Sequence, residues 1–498
     1  MSAEFHPVAG QFRRRRRRIS KGARYLVTAL IVYLGLAASG KAAAQDFLHT
    51  NKGVPATPAS PLLREHTCIF GPLGQPLRLQ EAVERALCNN PKTREAWANV
   101  EIQAAAVGAA RAAYLPTLST SVQEVRDRTS TVIGGYPQLT SRDDMNTASG
   151  SASLSWVLYD FGGRNAAIKN ASQLLAAAQA SHEGSLQDAF ADVSKHYYAA
   201  QAAQGTLTTA IENERTANES LQVAKRRADS GVSPISDALQ AETAYVQAVV
   251  SRTKAEGDLQ AAIGAMAVDM GLRPDEPVVL PEVEEGGMPD DDFQESVSSL
   301  IDGAMQQHPS VRAAWAEFKA AEAKVAQTRA AGLPSFGLAA KLSRNTQPAS
   351  LGLGLPPYPA TVRDGYFGVQ VSVPIFEGFV RDYQIRQAKA QMNLQGEVLY
   401  EARQQAALDV WTNYQLVQST TQNITNSAKL LEIALESYTA AQRRYMVGVG
   451  SVVELLSTQS SLATARQQRV QALTDWRSSR LQLAAKLGRL GMLHIAGQ

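Results

Sequence analysis

The sequence predicts a mainly α-helical protein with a membrane β-barrel portion, built from two copies of one structural repeat. A segment centred on Gly231 recurs around Gly448, at an offset of 217 residues, which is typical of an internal duplication. Two spans of 68 residues without proline, 164–231 and 381–448, favour very long helices. Four short segments alternate apolar with small or polar residues, as barrel strands do.

The first 44 residues are typical of a secretory signal peptide. They contain nine Lys or Arg residues, of which eight, six of them consecutive at Arg13–Arg18, precede an apolar run over 25–38 that is followed by the small residues Ala42–Ala44. We expect cleavage near Ala44. A run of arginines also fits a nucleic-acid patch. However, this segment carries +8 against +3 for the whole chain, which leaves −5 for the remainder, so no nucleic-acid partner is expected.

Residues 45–76 are rich in Pro, Thr, Ser and Gly, and predict an extended tail without a core of its own. The chain has two cysteines, Cys68 and Cys88. In an exported protein such a pair is predicted to form a disulfide, with two buried free thiols as the alternative. No cysteine lies at the cleavage site, so we expect no N-terminal lipid anchor.

Helical patterns precede the strands of both repeats, over Leu79–Tyr114 and Val297–Ala331. Each pattern is followed by a Leu-Pro pair, and proline stops a helix. An Asn-Pro pair at Asn90 recurs as a His-Pro pair at His308. We therefore expect His308 to cap a helix rather than to bind a metal.

Four strands are predicted, near 117–126, 150–159, 335–344 and 366–375. Each has apolar residues on one face and small or polar residues on the other, which suits a barrel between lipid and a wet lumen. Soluble amphipathic sheets alternate in the same way, so the prediction depends on finding four such segments in an exported chain. The segments 127–147 and 345–364, between the strands of each pair, are predicted to be long external loops.

The junctions between strand and long helix are matched in the two repeats. Asp160 and Arg164 in the first correspond to Glu377 and Arg381 in the second, beside aromatic residues that suit a membrane interface. Because the duplication accounts for both carboxylates, they are not assigned acid–base chemistry.

Each long helix ends in a Gly-centred turn, from which a shorter helix returns. The turn residues are Gly231 in the first repeat and Gly448 and Gly450 in the second, since glycine takes the left-handed conformation that ends a helix. The returning helices are predicted over 235–271 and 452–487. Apolar residues at alternating spacings of three and four along both long helices predict a coiled-coil seam.

The duplication divides the mature chain into two halves of one elongated body. The predicted parts are the signal peptide over 1–44, the tail over 45–76, the first repeat over 77–272, a linker over 273–294, the second repeat over 295–490 and a C-terminal tail over 491–498.

The order and spacing of these motifs resemble the TolC family of outer-membrane channel-tunnels, over about 77–490. The matching motifs are Asn90-Pro91, Tyr114-Leu-Pro, Pro374-Ile-Phe-Glu-Gly and the turn at Val447–Leu456. The resemblance implies a homotrimer that shares one twelve-stranded barrel in the outer membrane and one long helical tunnel in the periplasm. Oligomerisation is also expected from the strands alone, because four strands cannot close a barrel and an open edge is not stable in lipid.

In this family the periplasmic end is narrowed by carboxylates and by polar links between helix ends. By position, the resemblance assigns the carboxylates to Asp237 and Glu454, and a polar link to Tyr445. Gly450 stands where the family's best-known member has a basic residue, and Ser457 where a second acidic ring occurs. The link is therefore expected to be weaker or differently formed here.

These features predict the exit duct of a tripartite exporter, and we favour type I secretion of a protein toxin from the cytoplasm to the exterior. The implied partners are a periplasmic adaptor (membrane-fusion) protein, an inner-membrane ABC transporter, the exported protein and outer-membrane lipid. The alternative is a multidrug or small-molecule efflux pump. Many drug-efflux members carry a lipid-anchor cysteine, and its absence here favours secretion.

An enzyme is not predicted, because the seven histidines show neither HExxH nor CxxC spacing. No catalytic residue, metal or cofactor is assigned. A purely structural periplasmic coiled coil is a third hypothesis, but it leaves the four alternating strands unexplained.

Overall fold

The computed structural model describes residues 46–60, 68–136, 141–282, 296–346, 358 and 360–488. The predicted signal peptide and C-terminal tail lie outside this part, as does most of the predicted linker. The chain divides into two compact units, Met1–His49 and Thr50–Gln498. In the first unit, the His49 amide donates a hydrogen bond to the Asp46 carbonyl at 3.3 Å. The elements below belong to the second unit.

The second unit repeats one order of elements: two short helices, a strand pair, a long helix and a returning helix. The first copy comprises α1 (Leu79–Asn89), α2 (Pro91–Ala112), β1 (Thr117–Thr131), β2 (Ser141–Tyr159), α3 (Gly163–Asp229) and α4 (Ile235–Asp269). The second comprises α5 (Val297–Gln307), α6 (Pro309–Ala330), β3 (Ser335–Asn345), β4 (Val362–Ser372), α7 (Val380–Met446) and α8 (Val452–Lys486). The predicted fold class is confirmed, and so are the long and returning helices.

The long helices α3 and α7 each have 67 residues. At about 1.5 Å per residue each is about 100 Å long. α3 packs against α2, α4, α6 and α8, and α7 packs against α5, α6 and α8. Among the described helices, none combines the length and the apolar character that a bilayer crossing requires.

The largest apolar cluster lies where the middle of α3 meets α1 and the end of α4. Its fully buried members include Leu77, Leu186, Val193 and Met266. Described residues of the tail that belong to the second unit pack here, with Ala59 completely buried in the same cluster. The first repeat therefore holds the tail as well as its own helices.

The single helices predicted over Leu79–Tyr114 and Val297–Ala331 are wrong, since each is two helices. The chain leaves the helical conformation at Asn90 (ψ 128°) and at His308 (ψ 136°). The proline that follows each has no N–H to continue the helical bonds and disfavours a helical residue before it. Each side chain then caps the next helix, with His308 accepting an amide hydrogen bond at 3.3 Å as its position predicted.

The four strands form one antiparallel sheet in the order β1-β2-β3-β4. The predicted loop over 127–147 is wrong, because β1 and β2 stay paired out to Thr131 opposite Ser141. Apolar alternation stops near Gln123, whereas the backbone hydrogen bonds continue past it. β4 begins at Val362, inside the second predicted loop.

The two strand-to-helix junctions keep the same backbone path. Each passes through two consecutive residues with positive φ, Phe161 and Gly162 in the first copy, and Gly378 and Phe379 in the second. The phenylalanine and the glycine have exchanged places between the copies. Asp160 and Glu377 each pair with the arginine four residues later, at 3.2 and 3.1 Å. These carboxylates brace the turn into the long helix.

Candidate functional site

The two helical turns, called here the first tip (226–239) and the second tip (443–456), share one backbone motif. Gly231 and Gly448 have φ of 75° and 86°, in the left-handed region that favours glycine. The amide after each glycine donates a hydrogen bond to the carbonyl of Arg227 (2.9 Å) or Arg444 (3.0 Å). This is the Schellman arrangement that ends a helix.

Gly450 serves a different purpose from the two turn glycines. A Cβ atom at this position would lie 2.9 Å from the Tyr445 nitrogen and 3.0 Å from the Arg444 carbonyl carbon. The backbone of the second tip therefore closes on itself at a point where only glycine fits. A larger residue here would require a shift of this backbone.

Tyr445 is buried inside the second tip. It is 3% exposed and packs in a cluster with Tyr438, Val452 and Leu455. Its hydroxyl has no hydrogen-bond partner among the residues that the structure describes. Burial raises the pKa of Tyr445. The positive charge of Arg227 lowers this pKa, and the negative charge of Asp237 raises it further. The side chain thus packs as a core residue while its hydroxyl hydrogen remains available to an acceptor.

Arg227 joins the two tips, and the sequence analysis did not assign it a role. Its Nη1 donates a hydrogen bond to the Tyr445 carbonyl at 2.5 Å. The guanidinium carbon lies 4.9 Å from the centroid of the Tyr445 ring, within the range of a cation–π contact. The recurrence of two consecutive arginines in both repeats was the available signal, but a sequence does not show which way such side chains point.

Within the described part of the chain, two further polar atoms in this region are buried without a hydrogen-bond partner: the Nε of Arg227 and the hydroxyl of Ser233. With the Tyr445 hydroxyl, three such atoms therefore belong to the tips. Buried polar groups are usually paired, and an unpaired one costs about 1–3 kcal/mol. The single protomer thus leaves hydrogen-bonding capacity unused at its tips.

The two predicted carboxylates lie in the first turns of the returning helices, where negative charge is favourable. Glu454 forms an ion pair with Arg444 at 3.4 Å, and its amide is capped by the hydroxyl of Ser451 at 3.1 Å. Asp237 is half-buried and, among the described residues, forms no ion pair. The structure thus places Asp237 within electrostatic reach of Tyr445. It places Glu454 beside Arg444, so the three predicted residues do not form one cluster.

The cysteine pair lies far from the tips, at the start of the first repeat. Cys68 and Cys88 form a disulfide with 5.6 Å between their Cα atoms, rather than two free thiols. Arg85 supports the same segment, since its Nη2 donates to the carbonyls of Gly71 and Pro72 at 2.7 and 3.0 Å. The disulfide therefore fastens the tail to α1.

An open-edged sheet of four strands joined to about 100 Å of paired helices defines a class of protein: an outer-membrane channel rather than an enzyme. The chain belongs to the outer membrane efflux protein family, whose model matches residues 82–270 and 300–489. The matched segments correspond to the two repeats. The resemblance found from the motifs is thereby confirmed.

Named relatives and a solved structure agree with this assignment. Protein CyaE of Bordetella pertussis is 31% identical over 421 residues, covering 84% of this chain and 86% of the relative. The outer membrane efflux protein BepC of Brucella suis is 24% identical, covering 84% and 86%. The crystal structure of the outer membrane protein VceC of Vibrio cholerae superposes with a TM-score of 0.69 at 18% identity, covering 82% of this chain and 96% of that one.

Proposed function

We propose that this outer-membrane channel is the exit duct of a type I secretion system that exports a protein toxin in one step. The long tunnel attached to a membrane sheet supports this, because it bridges the periplasm with one continuous path. The identity to Protein CyaE, 31%, exceeds the 24% found for a relative named as an efflux protein. In this function an ABC transporter loads the duct through a periplasmic adaptor.

A second candidate function is small-molecule efflux, which several relatives carry in their names. They include a toluene efflux pump protein and an antibiotic efflux pump protein of Pseudomonas putida, each 23% identical to this chain. In this case the inner-membrane partner is a drug pump, and the channel carries small molecules rather than proteins.

The inner-membrane partner decides between the two functions. Val232 and Val447 project from the tips with 66% and 74% exposure, so a cysteine at either position can carry a photocrosslinker without disturbing the core. Crosslinking in cells should capture the adaptor, and the complex should contain an ABC transporter and a secreted protein. Recovery of a proton-driven drug pump, together with drug sensitivity in a deletion strain, would support efflux instead. Ile211, exposed on α3 away from the tips, gives a matched control position.

We propose a homotrimer as the functional state. β1 and β4 are the two edges of the sheet, and an open edge is not stable in lipid. Three copies joined edge to edge supply twelve strands, which is enough for an aqueous channel. Native mass spectrometry of the detergent-solubilised protein should give three chains, with conductance in planar bilayers. A monomer without conductance would contradict the proposal.

We propose that Asp237, Glu454 and Tyr445 line the periplasmic aperture. Rings of carboxylates attract cations, so Asp237→Ala with Glu454→Ala should lower cation selectivity in single-channel recordings. Tyr445→Phe should raise the resting conductance, because it removes a donor that the closed trimer can use between neighbouring tips. Tyr438→Phe is the matched control, since this tyrosine belongs to the same cluster two turns earlier. If Tyr445→Phe leaves conductance unchanged, Tyr445 is a packing residue only.

A further inference from the structure

The apolar face of the sheet ends in two arginines that lie directly opposite each other. Arg344 on β3 and Arg363 on β4 are register partners, so their side chains project from the same face. Both are exposed, and neither has a hydrogen-bonded or ionic side-chain partner anywhere in the described chain. Like charges in directly opposite positions of a sheet are destabilising. An anion between them would remove this cost.

The rows below the arginine pair are apolar. Continuing toward the helices on the same face, the register pairs are Leu342 with Gly365, Ala340 with Phe367, Leu338 with Val369 and Phe336 with Val371. Leu342 and Phe367 are 71% and 74% exposed, so the protomer itself does not cover this face. The arginines therefore stand at the border of an apolar surface.

The position along the strands places this border at the outer leaflet. Phe336 is next to the helical end of β3, and Arg344 is eight residues further on, about 26 Å along a strand. Tilted strands of this length span most of an outer-membrane apolar band of about 25 Å. Since the helices extend into the periplasm, the arginines lie at the opposite, external side.

No carboxylate of the described strands neutralises the pair. On the same face, Asp144 is held by Arg126 at 2.6 Å and Arg128 at 3.2 Å. Asp364 is adjacent to Arg363 in sequence and so projects from the other face. Glu124 lies on β1, two strands away from β3.

The neighbouring strand leaves space beside the arginines. On β2 the residue opposite Arg344 is Gly150, which has no side chain. A Cβ atom at Gly150 would meet nothing closer than 4.0 Å. A headgroup can therefore approach Arg344 from above the β2 backbone.

We propose that Arg344 and Arg363 bind the phosphate group of an outer-leaflet lipid. Guanidinium groups bind phosphate through paired, charge-assisted hydrogen bonds. A lipid fits better than a free phosphate because its acyl chains would cover Leu342 and Phe367 directly below. The inference rests on the outer-membrane location and is independent of what the channel exports.

The test is lipid binding to the purified full-length protein in detergent, followed by native mass spectrometry. Diphosphorylated lipid A is the probe, and fully dephosphorylated lipid A and inorganic phosphate are the competitors. The wild type should retain the diphosphorylated lipid at least tenfold better than the dephosphorylated one. Arg344→Gln with Arg363→Gln should abolish that preference, whereas Arg344→Lys with Arg363→Lys should keep most of it.

Lys341→Gln is the matched control, because Lys341 lies on β3 but on the opposite face, opposite Tyr366. It should leave lipid binding unchanged. The proposal is overturned if the double Gln variant binds as the wild type does, if Lys341→Gln lowers binding equally, or if inorganic phosphate at millimolar concentration displaces the lipid. Planar-bilayer conductance of the same variants reports the channel separately, so loss of lipid binding with normal conductance leaves the proposed function intact.

Discussion

The two tips have the same turn but different interiors. Ile235 and Val452 occupy equivalent positions of the repeat, yet Ile235 is 68% exposed and Val452 is 3% exposed. In the second tip Val452 joins Tyr445 and Leu455 in a local core, whereas the first tip has the small residues Ala228 and Ala238 at the positions equivalent to Tyr445 and Leu455. The hydrogen bonds of the glycine turn thus set the path of the chain in both tips. Packing then gives the second tip a local core and leaves Ile235 of the first tip exposed.

The same contrast recurs at the middle of the molecule. In the first repeat, His196 Nδ1 lies 2.5 Å from Asp269 Oδ2 and links α3 to the end of α4. The equivalent positions of the second repeat hold Asn413 and Lys486. Lys486 instead reaches Asp409 at 3.6 Å, which gives α7 and α8 an ion pair without histidine. A duplicated backbone therefore carries two different electrostatic links, of which one responds to pH near neutrality.

The largest contrast is expected from leucine-to-alanine substitutions at non-equivalent positions of the two tips, because the position equivalent to Leu455 already holds Ala238. Leu455→Ala should destabilise the second tip by about 2–5 kcal/mol, because it leaves a cavity in a buried cluster. Leu239→Ala should change the stability of the first tip by no more than about 0.5 kcal/mol, since this side chain is exposed in the protomer. Hydrogen exchange of the tip amides measures both. Equal effects would show that the first tip is packed as tightly in the assembly.

The disulfide is the next largest difference between the repeats. The position equivalent to Cys88 is Gln306, so the second repeat has no such bond. Cys68→Ser with Cys88→Ser should lower stability by about 3 kcal/mol, by restoring chain entropy to the unfolded state of a loop of this length. Denaturant unfolding should show that reduction of the wild type mimics the variant. If the reductant affects both proteins alike, the bond is not responsible.

Substitutions of the two arginines of the tips should differ by less in the stability that they cost. Arg227→Gln removes a charged hydrogen bond and a ring contact within the protein, and should cost about 1.5–3 kcal/mol. Arg444→Gln breaks an exposed ion pair and should cost no more than about 1 kcal/mol. Hydrogen exchange at the second tip compares the two variants directly. A larger effect of Arg444→Gln would reverse the proposed order of the two contacts.

The smallest expected effect is a dependence of stability on pH, which arises in the first repeat. The hydrogen bond to Asp269 raises the pKa of His196, and burial lowers it. The negative charges of Asp269 and Asp192 raise this pKa further, whereas the positive charge of Lys195 lowers it. Because the folded pKa is raised above the ordinary value of about 6.5, this stabilisation is complete below that pH. This stabilisation is lost as the pH rises through the raised pKa that His196 has in the folded state.

His196→Gln should therefore lose more stability relative to the wild type at pH 6 than at pH 9, as measured by thermal unfolding. Lys486→Gln is the control from the second repeat, because the ion pair of Lys486 with Asp409 contains no histidine. The stability lost by Lys486→Gln relative to the wild type should be the same at pH 6 and at pH 9. A constant deficit for His196→Gln as well would mean that the histidine acts only through packing.

The sequence alone predicted the order of elements and the character of the two turns. Periodicity, proline positions and glycine conformation are local properties, and they revealed both 67-residue helices and the turns at Gly231 and Gly448. The ends of β1 and β2 could not be predicted in this way, because polar residues on both faces leave no alternation while backbone pairing continues. The family followed from motif order, which also depends only on the chain.

What the sequence determined about this protein is therefore its duplication, its helices and the existence of four strands. Only the tertiary structure decided which members of each duplicated pair are buried and which are paired. Arg227 contacts Tyr445, 218 residues away, whereas the equivalent Arg444 turns to Glu454 ten residues later. The physical reason is that side-chain direction depends on the distant helix against which each residue packs, and the two repeats pack against different neighbours.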